Sequence, residues 1–161
     1  MMDQRSVESQ EADRQWREAA HSLGLEAFDE PLLPQALKAP LAQQLREAME
    51  QEDYATALDL GWVLVYGDPT DRDSTLDFAL CLQHLGETES AVRFYGTALL
   101  LDPSDPYCIF RLGECLETLG QAEEACEAYR SAIELSWADA AFEEIRQHAQ
   151  ARLEAVERGE G

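Results

Sequence analysis

The chain contains one pattern of residues twice. The segment CLQHLGETESAVRFYGTALLLDP begins at Cys81, and CLETLGQAEEACEAYRSAIELSW begins 34 positions later, at Cys115. The Asp-Pro pair at 102–103 has a counterpart one period upstream, at 68–69. Self-similarity at this period is typical of arrays built from pairs of helices. The sequence therefore predicts an all-α fold with three tandem units, 38–71, 72–105 and 106–139.

Each unit is expected to contain two helices. In the second unit, apolar residues recur at helical spacing from Leu76 to Leu85 and again from Ala91 to Leu99. Gly86 and Gly120 lie between the two runs of their units, where the chain must reverse. The first unit has Glu52 at this position, so its turn needs another solution.

The segments outside the repeats carry a weaker pattern. Residues 1–37 form an N-terminal extension, in which 1–10 are expected to be disordered and 11–24 to form a short amphipathic helix ending at Gly24. Pro31, Pro34 and Pro40 argue against a continuous helix in the stretch that follows.

Residues 138–158 predict one long helix with an apolar stripe. An array of repeats needs such a helix to cover its last apolar face, so residues 140–161 are expected to be a capping helix and tail. The stripe consists of Ala141, Phe142, Ile145, Ala149, Leu153 and Val156.

Composition excludes several classes of function. The 33 acidic and 12 basic side chains give a formal charge of -21, which phosphate backbones and anionic membranes repel. We therefore expect no nucleic acid partner and no insertion into a membrane, since no apolar run approaches the roughly 20 residues of a span. Hydrophobic residues make up 45% of the chain, too many for a disordered acidic tail. The N-terminus has no apolar segment of the secretory type, which predicts that the protein stays in the cytoplasm.

Residues that could carry chemistry are scattered. Cysteines at 81, 108, 115 and 126 lack the paired spacing of a zinc site and are expected to be small buried side chains. His21, His84 and His148 are far apart in the sequence. Phosphate-binding loops and nucleophile motifs are absent from the sequence. We therefore expect no metal, no cofactor and no enzymatic activity.

The repeat resembles the tetratricopeptide repeat in its residues as well as in its period. The first unit is degenerate, because Ala57 and Pro69 fit the family pattern while Gly61 and Leu64 replace the aromatic residue and the alanine. In the third unit Trp137 stands where proline is usual. The second unit supplies Ala79, Gly86, Ala91, Tyr95, Ala98 and Pro103. The third supplies Gly113, Gly120, Ala125, Tyr129 and Ala132.

Three repeats between an N-terminal extension and a capping helix resemble the class II chaperones of bacterial type III secretion systems. The similarity extends over about residues 38–156, and it includes the degenerate first repeat and the segment DPYCIFRLGECLETLGQAEEA at 105–125. The resemblance implies a cytoplasmic bacterial homodimer that binds hydrophobic translocator proteins before export. It also implies a groove for a cargo segment of Pro/Val-x-Leu-x-x-Pro type.

The first helices of stacked repeats line the concave side of such an array, which predicts the residues of a peptide-binding groove. These are Ala39, Ala42, Arg46, Met49, Asp73, Leu76, Leu80, Gln83, His84, Tyr107, Phe110, Glu114 and Glu117. For Leu76, Leu80 and Phe110 the alternative is an ordinary place in the core, which the sequence cannot separate from a place in the groove.

The apolar residues of the N-terminal extension have two possible roles. Trp16, Leu23, Leu25 and Phe28 lie outside the repeats, so residues 11–30 are predicted to form part of a dimer interface. The competing interpretation is that they pack on the chain's own repeats. For the whole protein, the alternative to a translocator chaperone is a repeat adaptor that joins folded proteins, or a chaperone for needle or filament subunits.

Overall fold

The structure is a computed structural model that describes residues 4–25 and 33–159. All regular structure in these residues is helical, which confirms the all-α prediction. The helices are α1 (Gln4–Ser22), α2 (Gln35–Glu50), α3 (Tyr54–Gly67), α4 (Arg72–His84), α5 (Thr88–Leu101), α6 (Pro106–Thr118), α7 (Ala122–Ser136), a 3₁₀ helix (Ala140–Phe142) and α8 (Glu143–Glu157). None of the helices in the described part of the chain is long and apolar enough to cross a membrane.

The chain divides into two compact units, residues 1–81 and residues 82–161. In the N-terminal unit, α1 and α2 both pack on α3. Trp16 of α1 and Leu45 of α2 are buried in the same core as Leu60 and Leu64 of α3. Helix α1 of the N-terminal extension is therefore part of the folded unit.

Helix α1 begins at Gln4, so residues 4–10 are helical and the expectation of disorder there was wrong. No proline or glycine occurs before Gly24, and the chain ends this helix with Gly24 in the left-handed region, at φ 71°. The first ten residues have a polar composition, which led to the expectation of disorder. Residues 4–10 instead form the start of the helix that carries the buried Trp16.

Helix α2 also differs from expectation, because it runs through Pro40. The ring removes the hydrogen bond that an N–H at position 40 would make to the carbonyl of Ala36, in the first turn. Both Ala36 and Pro40 are exposed, so water can satisfy that carbonyl. The proline is tolerated because it lies close to the helix start.

The three turns between paired helices share one geometry. Gly86 and Gly120 have φ of 78° and 77°, and Glu52 has φ 58°. Each turn is closed by the same pair of main-chain hydrogen bonds, such as Asp53 N–H to the Ala48 carbonyl at 2.8 Å. Glu52 thus adopts the left-handed conformation that glycine adopts in the other repeats.

The missing aromatic residue of the first repeat is replaced by a ring from elsewhere in the N-terminal unit. Phe78 of α4 lies so close to Gly61 that any Cβ at position 61 would overlap its ring. Trp62 meets the same ring edge-on, with centroids 5.0 Å apart. Phe78 is fully buried, so it fills the space that the tyrosine position leaves empty.

In the C-terminal unit, α7 lies between α6 and α8. Tyr95 and Tyr129 are fully buried. The apolar face of α8 contacts the core of α6 and α7, which places this helix where a capping helix was expected. The contacting residues on α8 are Ile145, Ala149, Leu153 and Val156.

The capping helix is interrupted at its start, contrary to the expectation of one helix from residue 138. Arg146 is buried, and its Nη1 donates to the Ser136 carbonyl at 3.1 Å. Its guanidinium also stacks on the Trp137 ring, 3.8 Å from the centroid. Asp139 then caps the 3₁₀ helix by accepting from the N–H of Ala141. At the end of α7, Trp137 thus makes a ring contact with Arg146 that a proline at this position could not make.

The cysteines at positions 81, 108, 115 and 126 are buried free thiols. Burial raises the pKa of Cys81 and of Cys115 to about 11. No group of three or more potential metal ligands comes together within residues 4–25 and 33–159.

Candidate functional site

The predicted groove residues of α2 differ in exposure. Ala39 and Arg46 are exposed, while Ala42 and Met49 are half-buried at the edge of the N-terminal core. Nη1 of Arg46 donates to Oδ2 of Asp77 on α4 at 3.3 Å. Burial raises the pKa of Asp77, although the hydrogen bond from Arg46 acts in the opposite direction.

Helix α4 shows a similar mixture. Asp73 is exposed and pairs with Arg72 at 2.8 Å. Leu80 is half-buried. Leu76 is only 8% exposed, so its position favours the alternative that it belongs to the core.

The predicted residues of α6 separate into core and surface. Phe110 is 5% exposed, and its ring lies 5.8 Å from that of Tyr129 and 6.2 Å from that of His148. Its position therefore favours a structural role. Tyr107 is half-buried and carries the Arg111 guanidinium 5.1 Å above its ring, so Tyr107 remains partly accessible.

Gln83 and Glu114 are brought together by hydrogen bonds. Nε2 of Gln83 donates to Oε2 of Glu114 at 3.3 Å, and Nη1 of Arg111 donates to the same oxygen at 2.9 Å. Tyr95 donates its hydroxyl hydrogen to Oε1 of Gln83 at 2.6 Å. The two predicted groove residues thus form one ordered network, while the neighbouring His84 is exposed.

Glu117 forms a second network. Its side chain is only 11% exposed. It accepts from the Tyr129 hydroxyl at 2.7 Å and from Nε and Nη2 of Arg152, which reaches across from α8. The hydrogen bond to Glu117 raises the pKa of Arg152, so the guanidinium stays charged.

The two networks border one polar cleft of about 660 Å³ in the C-terminal unit. Sequence reasoning included Gln83, Glu114 and Glu117 but missed Thr118 and Arg152. Arg152 lies on α8, outside the repeats, so counting positions within a repeat could not reach it. The cleft is lined by Gln83, Glu114, Glu117, Thr118 and Arg152.

The predicted dimer residues that the structure describes are in contact with their own chain. Trp16 is 4% exposed within the N-terminal core, and Leu23 and Leu25 are half-buried against it. Their positions agree with the competing interpretation, packing on the chain's own repeats. Phe28 lies outside the described residues.

Comparison with known sequences identifies the repeat. A sequence model of the tetratricopeptide repeat matches residues 107–136, within the third unit. No curated protein sequence matches the chain.

Comparison with solved structures extends over most of the chain. PcrH in complex with the chaperone-binding region of PopD is 27% identical, with a TM-score of 0.76, and the match covers 80% of this chain and 97% of that chain. A second structure, of PcrH from Pseudomonas aeruginosa, is 28% identical with a TM-score of 0.72. The match covers 77% of this chain and 94% of that chain.

A similar fold occurs in SycD of Yersinia enterocolitica, a type III secretion chaperone solved with a peptide of the translocator YopD. It is 23% identical, with a TM-score of 0.75 and coverage of 80% of this chain and 98% of that chain. The tetratricopeptide fold and the resemblance to type III secretion translocator chaperones are thus confirmed. None of these solved structures is described as an enzyme.

Proposed function

We propose that this chain is a cytoplasmic type III secretion chaperone that binds hydrophobic translocator proteins and keeps them soluble before export. The observation that carries the proposal is the match to PcrH, which was solved with the chaperone-binding region of PopD and is covered over 97% of its length. The formal charge of -21 suits this role, because it keeps a complex with an apolar cargo in solution.

We propose that cargo contacts accessible members of the predicted groove set in each of the two units. In the C-terminal unit, the half-buried Tyr107 offers an aromatic face beside the hydrogen-bonding groups of Gln83 and Glu114. In the N-terminal unit, Leu80 and Met49 are half-buried apolar side chains. Burying one aliphatic cargo side chain contributes roughly 1.5–3 kcal/mol, so a few anchors are enough for micromolar binding after association costs.

We also propose that the chain forms a homodimer. SycD was solved in an alternative dimer, although that likeness, at 23% identity, concerns the fold. The dimer residues first predicted from the sequence, Trp16, Leu23 and Leu25, contact their own core, so a dimer that uses them requires α1 to exchange or to move.

Co-expression tests the chaperone function. Full-length PopD should be insoluble when expressed alone and should co-purify in soluble form with this chain. An adaptor for folded proteins would leave the solubility of PopD unchanged, and that result would contradict the proposal.

A binding assay localises the surface. A labelled peptide of the PopD chaperone-binding region should bind the wild-type chain, and Tyr107→Ala should weaken binding at least tenfold. The control is Leu100→Ala, which removes a side chain that is 86% exposed on α5 and belongs to no predicted groove position. Equal affinities for the two variants would exclude Tyr107 from the cargo surface.

A further inference from the structure

The polar cleft of the C-terminal unit differs in chemistry from an apolar anchor pocket. All five lining residues, Gln83, Glu114, Glu117, Thr118 and Arg152, are polar. A cargo leucine or proline placed there would gain little, because its burial would also remove water from charged and hydrogen-bonding groups. The cleft therefore suits a polar part of a ligand.

Both carboxylates that line the cleft are paired with arginines. Glu114 is paired with Arg111 at 2.9 Å, and Glu117 is paired with Arg152 through two nitrogens of the guanidinium. Two carboxylates are thus neutralised by two guanidinium groups. A strongly basic or strongly acidic ligand side chain would find no net opposite charge, so the cleft favours a neutral ligand that both donates and accepts hydrogen bonds.

The main chain of an extended peptide has these properties. Each residue presents one N–H donor and one carbonyl acceptor, so a strand needs acceptors and donors in the same site. The Glu114 carboxylate can accept, and the Arg152 guanidinium can donate. Arg152 remains 44% exposed while its Nε and Nη2 contact Glu117, so the group is open to a ligand at the cleft.

We propose that the cleft between α6 and α8 binds the main chain of an extended cargo peptide, with Arg152 of the capping helix donating to peptide carbonyls. This inference rests on the proposed function. Arg152 also positions the wall of the site, because it neutralises the largely buried Glu117, whose other partner is the Tyr129 hydroxyl. The capping helix thereby acts in recognition as well as in covering the last repeat.

The test compares two arginines that each link α8 to the repeats. Arg152→Gln removes the contact with Glu117 in the cleft, and Arg130→Gln removes the 2.7 Å contact between Arg130 and Glu157 on another side of α8. With a labelled peptide of the PopD chaperone-binding region, Arg152→Gln should raise Kd about tenfold or more and Arg130→Gln less than twofold. Arg152→Lys should restore part of the affinity because it keeps the charge and a donor.

A main-chain readout separates recognition from a merely structural effect. Esters that replace single peptide bonds of the probe remove an N–H and weaken a carbonyl acceptor. At one position, such an ester should weaken binding to the wild-type chain several-fold but have a much smaller effect on Arg152→Gln, since the contact is already lost.

The outcomes are distinct. Equal Kd values for Arg152→Gln and the wild type, equal losses for the two arginine variants, or ester effects that are the same in wild type and variant would each overturn the inference. Failure of the wild-type chain to bind the unmodified probe would instead contradict the proposed function, and the inference would fall with it.

Discussion

The Tyr129 hydroxyl donates a hydrogen bond of 2.7 Å to Oε2 of Glu117, twelve residues earlier in the chain. Tyr95 makes the equivalent bond, 2.6 Å long, to Oε1 of Gln83. Each bond joins the second helix of a repeat to the last turns of its first helix. The buried aromatic ring of the repeat thus fills the core and at the same time orders the polar residue at the edge of the candidate site.

These bonds should differ in strength because one acceptor is a carboxylate. Tyr129→Phe leaves the largely buried Glu117 with one donor fewer, and hydrogen bonds to charged groups contribute about 1.5–3 kcal/mol. Tyr95→Phe removes a bond to a neutral amide, which contributes about 0.5–1.5 kcal/mol. Urea denaturation should therefore show a larger loss of unfolding free energy for Tyr129→Phe. The reverse order would mean that Arg152 alone satisfies Glu117.

Glu52 is a site at which the protein can be stabilised. Its φ of 58° lies in the left-handed region, which costs a residue with a Cβ about 1–2 kcal/mol. Glu52→Gly relieves this cost but makes the unfolded chain more flexible, so we expect a net gain of about 0.5–1 kcal/mol. Thermal unfolding followed by circular dichroism should show a higher Tm.

Two alanine variants control this prediction. Gly120→Ala at φ 77° meets no neighbouring atoms, so its expected loss of about 1 kcal/mol comes from the backbone alone. Gly96→Ala, also without close neighbours but inside α5, should instead stabilise the protein by about 0.5–1 kcal/mol. If Glu52→Gly lowers Tm, contacts of the Glu52 side chain outweigh the backbone strain.

Gly61 should tolerate no side chain. Alanine there would overlap the buried Phe78 ring, and overpacking of this kind costs typically 1–3 kcal/mol. Gly61→Ala should therefore lower the urea midpoint, and Phe78→Leu in the same chain should recover part of the loss by vacating the overlapped space. A double variant less stable than the sum of the two single changes would show that the ring is not the obstacle.

The second and third repeats could be predicted from the sequence because their small, aromatic and glycine positions recur at one period. The period also located the turn at Glu52, but the backbone conformation there depends on the hydrogen bonds that close the turn. The packing partner of Trp16 was harder to predict, because the pattern of an amphipathic helix does not specify which surface the helix covers. The replacement of a repeat tyrosine by Phe78 depends on the close approach of its ring to the main chain of Gly61, 17 positions earlier, which no local pattern encodes.

For the cleft, too, the sequence predicted some of the residues, and the structure adds their contacts. Gln83, Glu114 and Glu117 followed from inward positions of the repeats, and the structure adds the partners that order them. Arg152 and Arg111 complete the networks from positions that the repeat register does not mark. Phe110 and Leu76 are almost fully buried, which favours the core among the two interpretations that their spacing allowed.

The buried thiols provide a probe of the folded core. With a pKa of about 11, Cys81 and Cys115 carry roughly one thiolate in a thousand at pH 8, whereas an unfolded thiol of pKa near 8.5 carries about one in four. Only the thiolate reacts with disulfide reagents, so native labelling of these two cysteines should be at least about a hundredfold slower than labelling in urea.

Cys126, at 8% exposure the most accessible of the four, should react first, and Cys126→Ser should remove that fast phase. Raising the pH from 8 to 9 should increase native labelling of Cys81 and Cys115 about tenfold, because well below the pKa the thiolate fraction rises about tenfold per pH unit. Mass spectrometry of the labelled peptides identifies each site, and labelling of all four cysteines at the unfolded rate in native buffer would show that the core opens far more readily than this packing implies.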